Sequence, residues 1–171
     1  MITYRNAVAT DAQALTAFAR ASFVETFGHL YPPEDLASFL AEKYDAALVR
    51  ADIEAGKTHY RLAFDGDELI GYNKVGGDFD LPVEHEPSAV ELHRLYVHTR
   101  VKGQGVAKTL MDEALDWARA RGAAAMYLSV WENNFRAQAF YNRYGFEHIG
   151  EHGFMVGRTR DRDFIWRLPL G

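Results

Sequence analysis

The stretch from Gly105 to Arg121 constrains the fold of this chain more than any other. Ala107, Leu110, Met111, Ala114, Leu115 and Ala118 recur at helical spacing and form one apolar stripe, with Lys108, Asp112, Asp116 and Arg119 outside it. Gly122 supplies a stop. Such a helix must bury its stripe against a second layer. Strand-like runs flank it, Val90–Val97 before and the apolar Ala125–Val130 after. A helical crossover between strands contributes parallel pairing to a sheet.

The rest of the chain supplies hairpins and further helices. Thr3–Arg5 reads as a first strand. Asp11 precedes a helix carrying Leu15, Phe18 and Ala19, whose apolar face continues through Phe23, Phe27, Leu30 and Tyr31 until Gly28 and Pro32-Pro33 interrupt it. Glu34 and Asp35 open a helix with Leu36, Phe39 and Leu40, and Asp45–Ala55 forms another, closed by Gly56. His59–Phe64 and Glu68–Val75 read as strands joined by Asp65-Gly66-Asp67, a hairpin signal. Gly76–Ser88 is an acidic, proline-containing loop. A helix over Asn134–Arg143, ended by Gly145, precedes strands at Phe146–Gly150 and Asp163–Leu168. Hairpins combined with a crossover predict an α/β (α+β) fold with a mixed central sheet, helices on both faces, and one domain over residues 1–171.

Composition narrows the function classes. With 171 residues, 48% hydrophobic and 25% charged, the chain is long enough for a sizeable core. A net charge of −5 argues against nucleic-acid binding, which needs a basic face. No apolar run reaches the ~20 residues of a membrane span, and Met1–Ala19 does not read as a signal peptide. Cysteine is absent, so disulfides and Cys-based chemistry are excluded; a cytoplasmic protein is expected. The seven histidines show no metal-ligand spacing, and no metal is expected.

The segment Val97-His98-Thr99-Arg100-Val101-Lys102-Gly103-Gln104-Gly105-Val106-Ala107 joins a strand to the start of the strong helix. Glycines let backbone approach a ligand, and the free amides of a first helical turn suit a phosphate or pyrophosphate. Arg100 and Lys102 add positive charge. The alternative is a turn that merely needs two glycines. A Walker loop and the full dinucleotide fingerprint are both absent, since Lys108 stands where the latter's last glycine belongs.

Arg100-x-x-Gly103-x-Gly105 followed by Val106-Ala107 resembles the R/Q-x-x-G-x-G/A signature of GNAT acetyltransferases. Asn134-x-x-Ala137-x-x-Phe140-Tyr141-x-x-x-Gly145-Phe146 resembles that family's second signature, and Ile2, Arg5, Ala7, Asp11 and Leu15 look like its opening. A narrower likeness, to PaiA-type spermine/spermidine N-acetyltransferases, is carried by Glu25-Thr26-Phe27, Tyr31, Glu34-Asp35-Leu36 and the tail His152–Gly157 to Arg162-Asp163.

The resemblance implies a GNAT fold and transfer of an acetyl group from acetyl-CoA to a small-molecule amine, such as spermidine or spermine. Its loop would hold the pyrophosphate of coenzyme A on Arg100, Lys102, Gly103, Gln104, Gly105, Val106, Ala107 and Lys108. Main chain at Leu95, Tyr96 and Val97 would bind the rest, the Val97 N–H facing the developing oxyanion. Asn134 would contact the cofactor, Arg143 its phosphoadenosine end, and Tyr141 would protonate the departing thiolate. The other reading of Tyr141 is aromatic packing with Phe140 and Tyr144.

Glu91 resembles the catalytic glutamate of several members, acting through water; otherwise it is a strand carboxylate facing solvent or pairing with Arg94. Two residues on, His93 would share its side of the strand and assist proton removal. Substrate selection is expected from Glu25, Phe27, Tyr31, Glu34 and Asp35, and from the Gly76–Ser88 loop with Asp78, Asp80, Glu84 and Glu86, as carboxylates and aromatic walls suited to a polycation. The alternative is solvated loop acids. Other acceptors consistent with the resemblance are an amino acid, an antibiotic-like amine or a protein N-terminus. A non-catalytic acyl-CoA-binding module is the rival of another class. Monomer and homodimer both fit.

Overall fold

The computed structural model describes residues 1–171. A seven-stranded sheet, ordered β1-β2-β3-β4-β5-β7-β6, runs through it. Its strands are β1 (Ile2–Asn6), β2 (Thr58–Asp65), β3 (Glu68–Gly76), β4 (Val90–Val97), β5 (Ala125–Trp131), β6 (Glu147–Val156) and β7 (Thr159–Pro169). Every pairing is antiparallel except β4 with β5, which the helical crossover makes parallel.

Helices cover both faces. On one lie α1 (Ala12–Phe27), α2 (Pro33–Lys43) and α3 (Ala46–Ala55), where Leu15, Ala19, Phe23 and Phe39 pack with Leu62 and Tyr72 of the sheet. On the other lie α4 (Val106–Ala120) and α5 (Phe135–Arg143). The stripe of α4 divides between two parts of this face. Met111, Ala114 and Ala118 meet Val75, Leu92 and Met126, while Val106 and Leu110 meet Ala63 and Ile70. Asn73, fully buried on β3, ties sheet to helix by donating from Nδ2 to the Leu110 carbonyl at 2.8 Å.

Local signals explain most boundaries. Asp45 caps α3 by accepting from the amides of Ala47 and Leu48, and Gly56 ends it in the left-handed region. Expected and observed elements differ at the last hairpin. Strands expected at Phe146–Gly150 and Asp163–Leu168 run on to Val156 and back from Thr159. Polar and charged residues from Glu151 to Arg162 blur the alternation there, and cross-strand pairing supplies what the pattern lacks.

Two irregularities shape the centre of the sheet. β4 and β5 pair only at Val90–Met126 and Glu91–Tyr127, and then separate. Between β3 and β4, Lys74 is opposite Arg94 but Val75 is opposite Leu92, so His93 is an extra residue. This bulge interrupts the alternation, and both His93 and Arg94 reach the cavity beside the α1–α2 layer.

Candidate active site

The split between β4 and β5 opens into a cavity of about 1150 Å³ that passes from the N-terminus of α4 to the inner surfaces of α1, α2 and the β6–β7 hairpin. At the α4 end, Gly103 (φ 86°) and Gly105 (φ 83°) both adopt left-handed backbone and line the cavity. The amides of Gly103, Gly105, Val106, Ala107 and Lys108 have no acceptor within the chain. Together with the α4 dipole they form an anion cradle, and Lys102, Lys108 and Arg143 line the same region. Lys108 also pairs with Asp112 at 2.6 Å.

Two residues of the expected loop are turned elsewhere. Arg100 is committed to the β2–β3 turn, where it pairs with Asp65 at 3.2 Å and Glu68 at 2.5 Å, so Lys102 and Arg143, with Lys108 shared with Asp112, are the cations left to the cradle. Gln104 donates to the Arg100 carbonyl and does not line the cavity. Both sit on the outer side of a turn whose inner side is built by the glycines.

Leu95, Tyr96 and Val97 follow the point where β4 parts from β5, and they line the split with the β5-facing edge unpaired. Opposite them is α5. Asn134 caps it by accepting from the Ala137 amide at 3.2 Å, which uses its carbonyl and leaves the side-chain NH2 free to donate. Tyr141, in the last turn of α5, is half-buried against Phe140 and Phe146, and its hydroxyl makes no hydrogen bond within the chain. Burial pushes its phenol up to about 12, so it carries its proton at neutral pH.

The far side of the cavity carries two groups of titratable side chains. The first surrounds Glu91. One of its oxygens accepts the amides of Asp80 (2.9 Å) and Leu81 (3.1 Å), while the other lies 2.8 Å from His93 Nδ1. Asp80 Oδ2 is 3.3 Å from the same ring nitrogen. Burial opposes a charge on His93, but Asp80 and Glu91 outweigh it and hold the imidazole above its usual value. Glu91 therefore neither faces solvent nor pairs with Arg94. It anchors the loop after β3 through two amides on one oxygen, with the His93 ring at ion-pair distance from the other. His93 does share its side of the strand.

The second group lies on the β6–β7 hairpin, and sequence reasoning did not assign it a role in the site. Asp161 and Asp163, alternate residues of β7, both line the cavity. Tyr31 donates its hydroxyl to Asp161, and Ser129 lies 3.5 Å from Asp163. His152 is opposite Asp163 across the hairpin, its Nε2 buried without a partner. Burial, then the charge of Asp161, pushes the Asp163 carboxyl up to about 6. The period-two spacing of two acids in Arg160-Asp161-Arg162-Asp163 was the available signal, but it also fits a solvated strand.

Of the residues expected to select substrate, Phe27 and Tyr31 line the cavity. Glu25, Glu34 and Asp35 do not. Glu25 accepts from Thr99 at 2.7 Å on the outer surface, Glu34 is exposed, and Asp35 accepts from Thr159 at 3.0 Å at the hairpin tip. In the loop after β3, Asp80 reaches the cavity, whereas Glu86 is bound structurally by Tyr127 and Arg167 and held down to about 2.

Comparison with known proteins places this architecture. The model of the acetyltransferase (GNAT) family matches residues 16–146. An uncharacterized N-acetyltransferase from Lactobacillus delbrueckii subsp. lactis is 32% identical over 161 residues, spanning 94% of this chain and 92% of that protein. The spermine/spermidine N(1)-acetyltransferase of Bacillus subtilis is 29% identical over 106 residues, 59% of this chain and 69% of that protein. Among solved structures, the PaiA N-acetyltransferase of Thermoplasma acidophilum, in complex with coenzyme A, superposes with a TM-score of 0.79 at 24% identity, covering 99% of both chains. A strand split beside a helix-terminal anion cradle, and a family match across both, establish that this chain belongs to the GNAT acetyltransferase family and is an N-acetyltransferase.

Proposed function

We propose that this enzyme transfers the acetyl group of acetyl-coenzyme A to the primary amine of a small cationic molecule, a polyamine such as spermidine or spermine being the leading candidate. The cradle fits the donor. Five unpaired amides and the neighbouring lysines suit a diphosphate, and the unpaired edge of β4 suits an extended amide-bearing arm. Acetyl-coenzyme A supplies the activated thioester. Tyr141 holds the proton that the departing thiolate needs, and its apolar surroundings keep that proton in place until it is used.

The observation that carries the acceptor reading is the pair Asp161 and Asp163, which line the cavity without any lysine or arginine paired to them. One buried and one half-buried carboxylate, unpaired by any cation, are complementary to an ammonium group. Phe27, Tyr31 and Trp131 give aromatic walls for the methylene chain and its charge. The likeness to spermine/spermidine acetyltransferase points the same way.

One observation favours a second acceptor class. Arg94 lies over the Tyr44 ring at 4.2 Å and lines the same cavity with no carboxylate partner. It would receive the carboxylate of an amino-acid acceptor.

Thiol release from acetyl-CoA, compared across spermidine, monoamines and amino acids by kcat/KM, separates the two. Spermidine is expected to lead, and a clear preference for amino acids would overturn the polyamine reading. Tyr141→Phe should lower kcat about a hundredfold while leaving acetyl-CoA affinity nearly unchanged. Full turnover by that variant would refute the acid assignment.

A further inference from the structure

The two groups on the acceptor side of the cavity differ in their state of neutralisation. Around Glu91 the charges are met, since His93 is held toward its protonated form between Glu91 and Asp80, and two loop amides take the remaining oxygen. A carboxylate so engaged is turned toward its own loop and the His93 ring rather than toward an incoming group. Asp163 is in the opposite condition. It is 92% buried by its 8% exposure, and its one polar contact in the chain is the 3.5 Å approach of Ser129.

The groups facing Asp163 supply no cation. Asp161 lies on its own strand, Glu132 in the turn after β5, and Tyr31 after α1; all three disfavour its negative charge or are disfavoured by it. His152 on β6 is held below its usual value by burial, which disfavours a cation beside Asp163. Ser129 is two residues beyond Tyr127, where β5 last touches β4. Asp163 is opposite Trp131 in β5, past the point where β4 and β5 part, and lines the open cavity with Ser129 and Trp131.

We infer that Asp163 is the proton acceptor for the incoming amine, and that Glu91 is a positioning residue for the loop above it. This rests on the acceptor reading above. The ammonium group enters as the missing counter-ion of Asp163 and gives it one proton. The neutral amine then forms the C–N bond as the C–S bond of the thioester breaks. Its second proton goes to the departing thiolate by way of Tyr141, and Asp163 returns the first to solvent. Net products are the amide, the free thiol and one proton. A carboxyl shifted toward neutrality by burial and by Asp161 suits this role.

The test is the pH profile of kcat/KM with spermidine. In the unaltered enzyme activity should rise with pH through an acid limb near pH 6. Asp163→Asn should lower kcat about a hundredfold and abolish that limb, with acetyl-CoA affinity retained, and Asp163→Glu should restore a limb. Glu91→Gln, whatever its rate, should keep the limb near pH 6.

The inference is overturned if the limb disappears with Glu91→Gln and persists in Asp163→Asn. It is equally overturned if Asp163→Asn loses acetyl-CoA affinity together with rate and Asp163→Glu is no better, because the residue is then structural. A carboxyl 13C NMR titration of the unaltered protein needs no variant. The Asp163 signal should titrate near pH 6 and move lower on addition of spermidine, and titration below pH 4 refutes the assignment. Absence of turnover by the unaltered enzyme on every amine refutes the parent reading instead, and removes this inference with it.

Discussion

Asp163 illustrates at residue scale how a reactive group is held against the stability of the fold. Its carboxyl titrates near 6 in the folded chain against an ordinary 3.8, so the folded state holds its proton more tightly than the unfolded state does. The residue is therefore neutral and harmless below about pH 4, and its ionisation weakens the fold progressively as pH rises from about 4 to 6. A shift of this size corresponds to about 3 kcal/mol at pH 8. Asp163→Asn should accordingly be more stable than the parent at pH 8, by up to about 3 kcal/mol, with the difference vanishing at pH 4. Urea unfolding at the two pH values measures this. Equal stabilities at pH 8 would show that the carboxylate is not strained. The same substitution is expected to slow catalysis, an exchange of stability for function that active sites commonly show.

At the scale of elements, the site is made by departures from regularity. The single extra residue in β4, His93, re-aims the side chains that follow it, and the separation of β4 from β5 leaves backbone free where a regular sheet would consume it. The α4 N-terminus completes the arrangement because Gly105, at its N-cap with φ 83°, turns the chain so that consecutive amides point one way. A Cβ at that position meets no other atom, so the cost of Gly105→Ala is conformational, about 1–2 kcal/mol for a left-handed alanine. Relaxation of that strain would spoil the cradle. Coenzyme A affinity, followed by calorimetry, should fall about tenfold while kcat at saturating donor changes little. Unchanged affinity would mean that the cradle does not depend on this backbone geometry.

Over the whole molecule, the acceptor wall is assembled from segments distant in sequence. The β6–β7 tip lies against the start of α2, where Thr159 donates to Asp35 at 3.0 Å and a Cβ on Gly157 would come within 2.6 Å of Asp35. Nearby, Tyr31 bonds Asp161. Position of the hairpin therefore depends on α2. Asp35→Ala removes one hydrogen bond worth about 1 kcal/mol, and the KM for the amine should rise severalfold with donor affinity unaffected. Steady-state kinetics with each substrate varied decides this, and a KM change confined to acetyl-CoA would contradict it. No helix is long and apolar enough to cross a membrane.

Periodicity and turn chemistry by themselves determined the layered architecture, because the α4 stripe, the Asp65-Gly66-Asp67 turn and the glycines at 103 and 105 act through local geometry that neighbours in sequence specify. The two family-like signatures drew attention to the loop before α4, whose amides are unpaired in the fold, and to Tyr141, which lines the same cavity. Tertiary structure alone decided which acids face the cavity. Glu25, Glu34 and Asp35 carry the same charge as Asp80, Asp161 and Asp163, yet long-range packing of the last hairpin and of α2 turns the first three outward or into structural bonds. It also decided that Glu91 would be held by His93 and two loop amides and Asp163 left without a cation, since burial and counter-charge depend on neighbours up to 130 positions apart along the chain.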